Sequence, residues 1–417
     1  MKRWLTNRAK EFFFRSLVEL RGGYLEIVCP EETFAFGEPG AELRAMAVVH
    51  DERFFVRALT GADVGLGESY MDGDWTTPDL VALVRVAVRN LRLLDTRHKF
   101  LSGVRALAAR LRHQWRANTI AGSRKNIREH YDLGNPFYEL FLDSQMTYSC
   151  AYFRGKDDSL DVAQRQKLDL ICQKLQIESG DRVLEIGCGW GGFAIHAARN
   201  YGAHVTGVTI SQAQYEYAAE QIAKTDVVPG SVRLVMEDYR LLQGQYDKIV
   251  SIEMFEAVGY EHYDDYFGAC DRLLKSDGSM LLQTITMQEK KFHLYRRQSD
   301  WIKKHIFPGA ELASVIAIQQ SLARQTRMQL FHMEDIGKHY ALTLHEWRRR
   351  FLDHLSEVRQ FGFDDRFVRM WDYYLAYCEG AFLERYISDL QLVFSKVTSK
   401  IQLMNEPEME PAWQERS

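Results

Sequence analysis

The eleven residues Arg182–Gly192, RVLEIGCGWGG, decide the fold. Val183, Leu184 and Ile186 form an apolar run of strand length, and it ends in glycines that open a helical pattern through Ala198. Glycine at 187, 189 and 191 permits a tight turn and close backbone approach to a ligand at the end of a parallel strand. Downstream, strand-like runs at His204–Thr209, Val232–Glu237, Tyr246–Glu253 and Met280–Thr286 alternate with helix-length segments. Such continuous apolar strands imply a parallel sheet covered on both faces. Two late runs, Arg327–Glu334 and Asp389–Ser395, suit an antiparallel edge, and the helical, aromatic stretch between them suits a cap. The expected class is therefore α/β, a Rossmann-like doubly wound sheet with a helical cap insertion.

Upstream, short runs at Tyr24–Cys29, Ala45–Val49 and Phe54–Ala58 read as a smaller α+β module, followed by a turn-rich, acidic GLGESYMDGDW at Gly65–Trp75. An amphipathic helical pattern begins at Asp79 and continues to about Arg128. This divides the 417 residues into an amino-terminal domain, 1–115, and a larger domain, 116–417. The formal charge is only −4, yet Val81–His130 holds twelve Lys/Arg against Asp95 and Glu129, a net +10. That block calls for an anionic partner. The six cysteines are scattered with no CxxC pair, which argues against a metal and for free thiols in a reducing compartment. No signal peptide and no bilayer-length apolar run is present, so a cytoplasmic protein with peripheral membrane contact is expected.

The glycine loop narrows the ligand. A dinucleotide site calls for an acid about 20 residues on, but that neighbourhood holds Gly207, Thr209 and Ser211. Glu185, just before the glycines, suits the amino group of a methionyl moiety better than a pyrophosphate. S-adenosylmethionine, a zwitterionic sulfonium, fits this pattern.

Ordered segments from Tyr24 to Lys396 carry a resemblance to a known family. They include GLGESYMDGDW, HYDLGNPFYELFLD (His130–Asp143), MTYSCAYF (Met146–Phe153), VLEIGCGWGG, MFEAVG (Met254–Gly259), IFPG (Ile306–Gly309) and EGAF (Glu379–Phe382). In these the chain resembles the cyclopropane-fatty-acyl-phospholipid synthases, which methylenate acyl double bonds. The resemblance implies a class I methyltransferase fold and S-adenosylmethionine as methyl donor. It implies that Tyr148 and Ser149 meet the methionyl end and that Gly187 and Gly189 approach through backbone. It further places Thr209 and Gln214 at the ribose, and Asp238 and Tyr239 at the adenine. A bound bicarbonate is the base it implies, held by Cys150, Glu256, Gln283, Tyr340 and Cys378. Homodimerisation is a further implication.

The chemistry explains why such a cluster is needed. An alkene attacks the sulfonium methyl without help from a base, and the resulting cation must then lose a proton from the added carbon to close the ring. Water has to be excluded, since it would trap the cation. Gln283 stands where the commonest bacterial pattern has His, and glutamine hydrogen-bonds but does not titrate near neutrality. A methyl- or methylene-branched product therefore stays open beside the cyclopropane. Glu253, three residues before Glu256, reads either as a solvated turn acid or as its helical-spacing partner. A small-amine N-methyltransferase and a non-catalytic lipid-binding protein are the competing classes. The lipid-directed motifs turn the basic segment 81–128 toward an anionic membrane containing the unsaturated phospholipid substrate, rather than toward nucleic acid.

Overall fold

The computed structural model describes residues 2–91, 133–298 and 300–402. A seven-stranded sheet is built from β5 (Arg182–Ile186), β6 (His204–Thr209), β7 (Ser231–Met236), β8 (Tyr246–Ile252), β9 (Leu274–Met287), β10 (Met328–Asp335) and β11 (Ile387–Lys396). Its order is β10-β11-β9-β8-β5-β6-β7, parallel from β9 through β7, with β11 antiparallel to both its neighbours, β9 and β10. The chain winds outward from β5 through β6 and β7, then returns to lay β8 on the other side. The crevice at the carboxyl ends of these strands is where a doubly wound sheet binds its ligand. Side chains alternate across the sheet: Leu184, Ile186, Leu392 and Phe394 enter one core layer, and Val183 and Val393 the other. This is the arrangement expected of a class I methyltransferase.

The cap lies between β10 and β11 and is led by helices Gly337–Asp353 and Asp365–Leu383. Trp347 and Trp371, both fully buried, join it to Phe137 and Phe141 of the segment before the sheet. An amino-terminal sheet, β1 (Tyr24–Val28), β2 (Thr33–Gly37), β3 (Arg44–Val49) and β4 (Trp75–Thr76), has the order β2-β1-β3-β4. Its core is continuous with that of the cap, running from Phe13 and Phe55 to Trp371 and Tyr374. Polar ties reinforce the join: Tyr70 Oη donates to Asp372 at 2.6 Å, and Glu384 accepts from Arg85 and Arg89, both at 2.7 Å.

Two expectations change here. Phe54–Ala58 is not a strand, and Gly65–Met71 is not a turn; both are helical, in two segments of Arg53–Met71 that meet at a kink where Ala62 leaves the helical conformation (φ 50°). Five apolar-rich residues are too few to separate a period of two from 3.6, and Phe54, Phe55 and Ala58 share the buried face. Gly67 is small because Trp301 lies against it: a Cβ there would sit 2.3 Å from the indole. Within the basic segment, Arg85 and Arg89 are engaged by Glu384. Residues 92–128 lie outside the described residues.

Candidate active site

Each strand of the crevice delivers one part of a cofactor cradle. β5 ends in Gly187, Gly189 and Gly191 at φ of 81°, 51° and 90°, values that favour glycine. At Gly187 a Cβ would collide with Met254, whereas beside Gly189 there is open space. Glu185 on β5 is buried, with Oε2 unpartnered, and burial pushes its carboxyl well above the ordinary range. An orphaned buried carboxylate oxygen is costly and calls for a cationic ligand group. β6 brings Thr209, whose hydroxyl donates to Gln214 Oε1 at 3.0 Å. Beyond β7, Asp238 accepts from Arg240 Nε and an Arg240 terminal nitrogen, both at 2.7 Å, and Tyr239 packs edge-on against Tyr266.

The segment before the sheet closes the cradle. Asp143 accepts from the Thr147 amide at 2.7 Å, and Gln164 Nε2 donates to the Ser149 carbonyl at 2.9 Å, which fixes Tyr148 and Ser149. Tyr148 Oη lies 3.0 Å from Tyr374 Oη of the cap. The Ser149 hydroxyl accepts from Lys167 Nζ at 2.8 Å. Lys167 was not singled out in the sequence. Its ammonium is buried, which lowers its pKa, while Glu253, Cys150, Asp143 and Asp389 hold it up.

All nine cradle residues, Tyr148, Ser149, Glu185, Gly187, Gly189, Thr209, Gln214, Asp238 and Tyr239, line one cavity of about 1300 Å³. S-adenosylmethionine fits these residues: an acid for its amine, glycine backbone beside it, and hydroxyl and amide groups farther along. The cavity continues past Tyr340, Tyr374 and Cys378 to Ala58, Leu59, Val84 and Phe13 of the amino-terminal module. Its volume exceeds that of ordinary small-molecule pockets, roughly 300–1000 Å³.

Where the two parts meet, the polar cluster forms around Glu253. Glu253 Oε1 accepts from the Cys150 amide at 2.7 Å and from Gln283 Nε2 at 2.8 Å; Oε2 accepts from Tyr340 Oη at 2.5 Å. Glu253 sits just past β8 at φ 49°, a left-handed conformation for a residue with a side chain. Such a backbone costs about 1 kcal/mol or more and persists only where its surroundings impose it. Gln283 also donates to Asp389 at 2.9 Å and accepts from Gln391 at 3.0 Å, and Gln391 in turn accepts from Lys174 at 2.6 Å. The register pairing Gln283 with Gln391 puts these side chains together.

The remaining members stand apart. Glu256 lines the cavity but takes its bonds from Thr284 Oγ1 at 2.8 Å and the Ile285 amide at 2.5 Å. Burial, with Glu253 nearby, pushes Glu256 up to about 7. Cys150 and Gln283 are fully buried behind the cavity wall, and the Cys150 thiol donates to the Ala151 and Ile336 carbonyls. Cys378 faces the cavity from the cap helix, with its thiol raised by burial. Burial raises Glu253 too, opposed by Tyr340, the Cys150 amide, Lys167 and Gln283; Asp389 is driven well up by burial and by Glu253. Of these carboxyls, Glu253 has the most donors, and they oppose the rise that burial imposes on it.

A sequence model of the mycolic acid cyclopropane synthetase family matches residues 119–392. Cyclopropane-fatty-acyl-phospholipid synthase of Escherichia coli is 41% identical over 362 residues, 86% of this chain and 89% of that protein. The chain belongs to the cyclopropane synthetase family. Another member, tuberculostearic acid methyltransferase UfaA1 of Mycobacterium tuberculosis, is 37% identical over 79% of this chain and 78% of its own length. Among solved cyclopropane synthases, CmaA1 complexed with SAH and CTAB superposes with a TM-score of 0.61 and 32% identity. It covers 66% of this chain and 98% of that one. As a cyclopropane synthetase homologue, the protein is an S-adenosylmethionine-dependent methyltransferase.

Proposed function

We propose that the protein transfers a methylene group from S-adenosylmethionine to the double bond of an unsaturated phospholipid acyl chain, forming a cyclopropane. The observation that carries this reading is the single cavity joining a cofactor cradle to an apolar passage, with a carboxylate at the junction. When bound, the cofactor supplies an electrophilic sulfonium methyl that the alkene π pair attacks. Glu185 is the residue to hold its amine, and the backbone at Gly187 and Gly189 lets it approach the sheet. Tyr340, Tyr374 and Phe382 wall the reacting region with rings and exclude water, which protects a carbocation from hydration. Ring closure then needs a base within the same enclosure.

The cavity rim suits a lipid donor surface. Phe12 and Leu294 line it while 46% and 56% exposed, and exposed Arg297 lines the same rim. Apolar side chains beside a cation match the boundary between acyl chains and anionic headgroups. Among the described residues no helix is long and apolar enough to cross a membrane, so the contact proposed is peripheral, with residues 92–128 adding positive charge. The relative named as a tuberculostearic acid methyltransferase supports a second reading, a methyl-branched product from the same cation.

The test is incubation with methyl-labelled S-adenosylmethionine, vesicles of unsaturated anionic phospholipid and a panel of water-soluble amines. Label entering the acyl chains with loss of the alkene is the expected result. Label entering an amine and not lipid overturns the proposal.

A further inference from the structure

The donors expected to hold a bicarbonate are already committed. The Cys150 amide, Gln283 Nε2 and Tyr340 Oη all converge on the Glu253 carboxylate. Cys150 and Gln283 do not line the cavity, so a diffusing anion meets neither. Bicarbonate would present the same planar pair of oxygens to the same donors, and Glu253 would oppose it in both volume and charge. A bicarbonate therefore does not fit the residues assigned to it.

We infer that Glu253 is itself the ring-closing base, its carboxylate standing where a bound bicarbonate would otherwise be held. The inference rests on the methylene-transfer reading above. Three features beyond the hydrogen bonds support it. The left-handed backbone at Glu253 turns the side chain off the end of β8 and into the cavity wall. Gln283 is locked in one orientation by Gln391 and Lys174 behind it, so its amide N–H faces the two acids and its carbonyl faces away. Asp389, Glu256, Lys167, Tyr374 and the Cys150 thiol complete the titratable surroundings. Of the three acids, only Glu253 both faces the cavity and holds three donors.

The step balances without an external reagent. After the methyl carbon has joined one alkene carbon, the other carries the positive charge. A Glu253 oxygen takes one proton from the new methyl carbon. The released C–H pair forms the third ring bond to the cationic carbon. The ring leaves neutral and Glu253 becomes a carboxylic acid, which returns its proton to water once product withdraws.

The experiment measures label transfer to vesicles in carbon-dioxide-free buffer, with and without added bicarbonate, for the wild type, Glu253→Gln and Glu253→Gly. The wild-type rate should not change with bicarbonate. Glu253→Gln should lose ~100-fold or more, the scale of a general base, while binding S-adenosylmethionine like the wild type. Glycine accepts the left-handed backbone and leaves the three donors around an opening, so Glu253→Gly should regain activity only with bicarbonate. A wild-type rate that collapses without bicarbonate and returns with it overturns the inference, as does a fully active Glu253→Gln. Absence of any transfer to lipid by the wild type removes the substrate reading and this inference together, whereas lipid transfer that requires bicarbonate removes the base alone.

Discussion

Replacing Tyr340 with Phe removes one hydroxyl from the Glu253 carboxylate and little else. The ring of Tyr340 is stacked on Phe382, with centroids 4.5 Å apart, and lies edge-on to Trp347; phenylalanine keeps both contacts. What disappears is the 2.5 Å bond to Glu253 Oε2. A hydrogen bond to a charged group is worth ~1.5–3 kcal/mol, and a pKa unit corresponds to about 1.4 kcal/mol. The hydroxyl favours the ionised carboxylate, so its loss should raise the Glu253 pKa by ~1–2 units. Burial already places that pKa above the ordinary carboxylate value, and losing the hydroxyl moves it further in the same direction. The assay is kcat against pH at saturating cofactor and vesicle substrate. The acid limb should move up by ~1–2 units, with much of the neutral-pH loss recovered at higher pH. A purely structural defect would lower the rate at every pH and leave the limb in place, and that outcome would refute the reasoning.

Three other perturbations probe the remaining parts. Glu185→Gln removes the buried carboxyl that would pair with the cofactor amine and should weaken S-adenosylmethionine binding by ~10–100-fold, measured by calorimetry; unchanged affinity would remove Glu185 from the cradle. Glu256 is raised from 4.5 to about 7 in the folded protein, so the fold binds the extra proton and wild-type stability falls as pH rises through that window. Glu256→Gln should flatten this slope, gaining at most ~3 kcal/mol above neutrality, and should keep turnover within ~10-fold, since a group outside the Glu253 cluster falls short of the general-base scale. Gly67→Ala pushes a methyl into fully buried Trp301 and should cost ~1–3 kcal/mol, read as a lower Tm.

The sheet was legible because its strands are continuous apolar runs punctuated by glycine, a pattern that only a doubly covered parallel sheet explains. Glu185 could be read from its place before the glycines, whereas Thr209 and Asp238 were implied by the family resemblance; in the fold, Thr209 at the end of β6 and Asp238 just beyond β7 line one cavity with Glu185. Glu253 was not legible in the same way. Three residues of spacing to Glu256 suggested a shared helical face, but the chain turns through a left-handed residue there, and the two carboxylates take different partners. A usable signal lay elsewhere: Gln283, Asp389 and Gln391 are polar residues in otherwise apolar strands, and buried polar groups need partners. Lys167 and Lys174 carry no motif that marks them, yet both are at most 4% exposed. Register and long-range approach decide such positions, and local periodicity carries neither. The basic segment shows the converse limit: net charge was countable from composition, but the pairing of Arg85 and Arg89 with Glu384 was not.

The central claim is that a base removes a proton from the transferred carbon, and isotope retention tests it most directly. Vesicles of unsaturated phospholipid are treated with S-adenosylmethionine whose methyl group is fully deuterated, and the acyl chains are weighed by mass spectrometry. The account predicts a product that keeps two of the three deuteriums and has lost its alkene to a ring. A product that retains all three contradicts it.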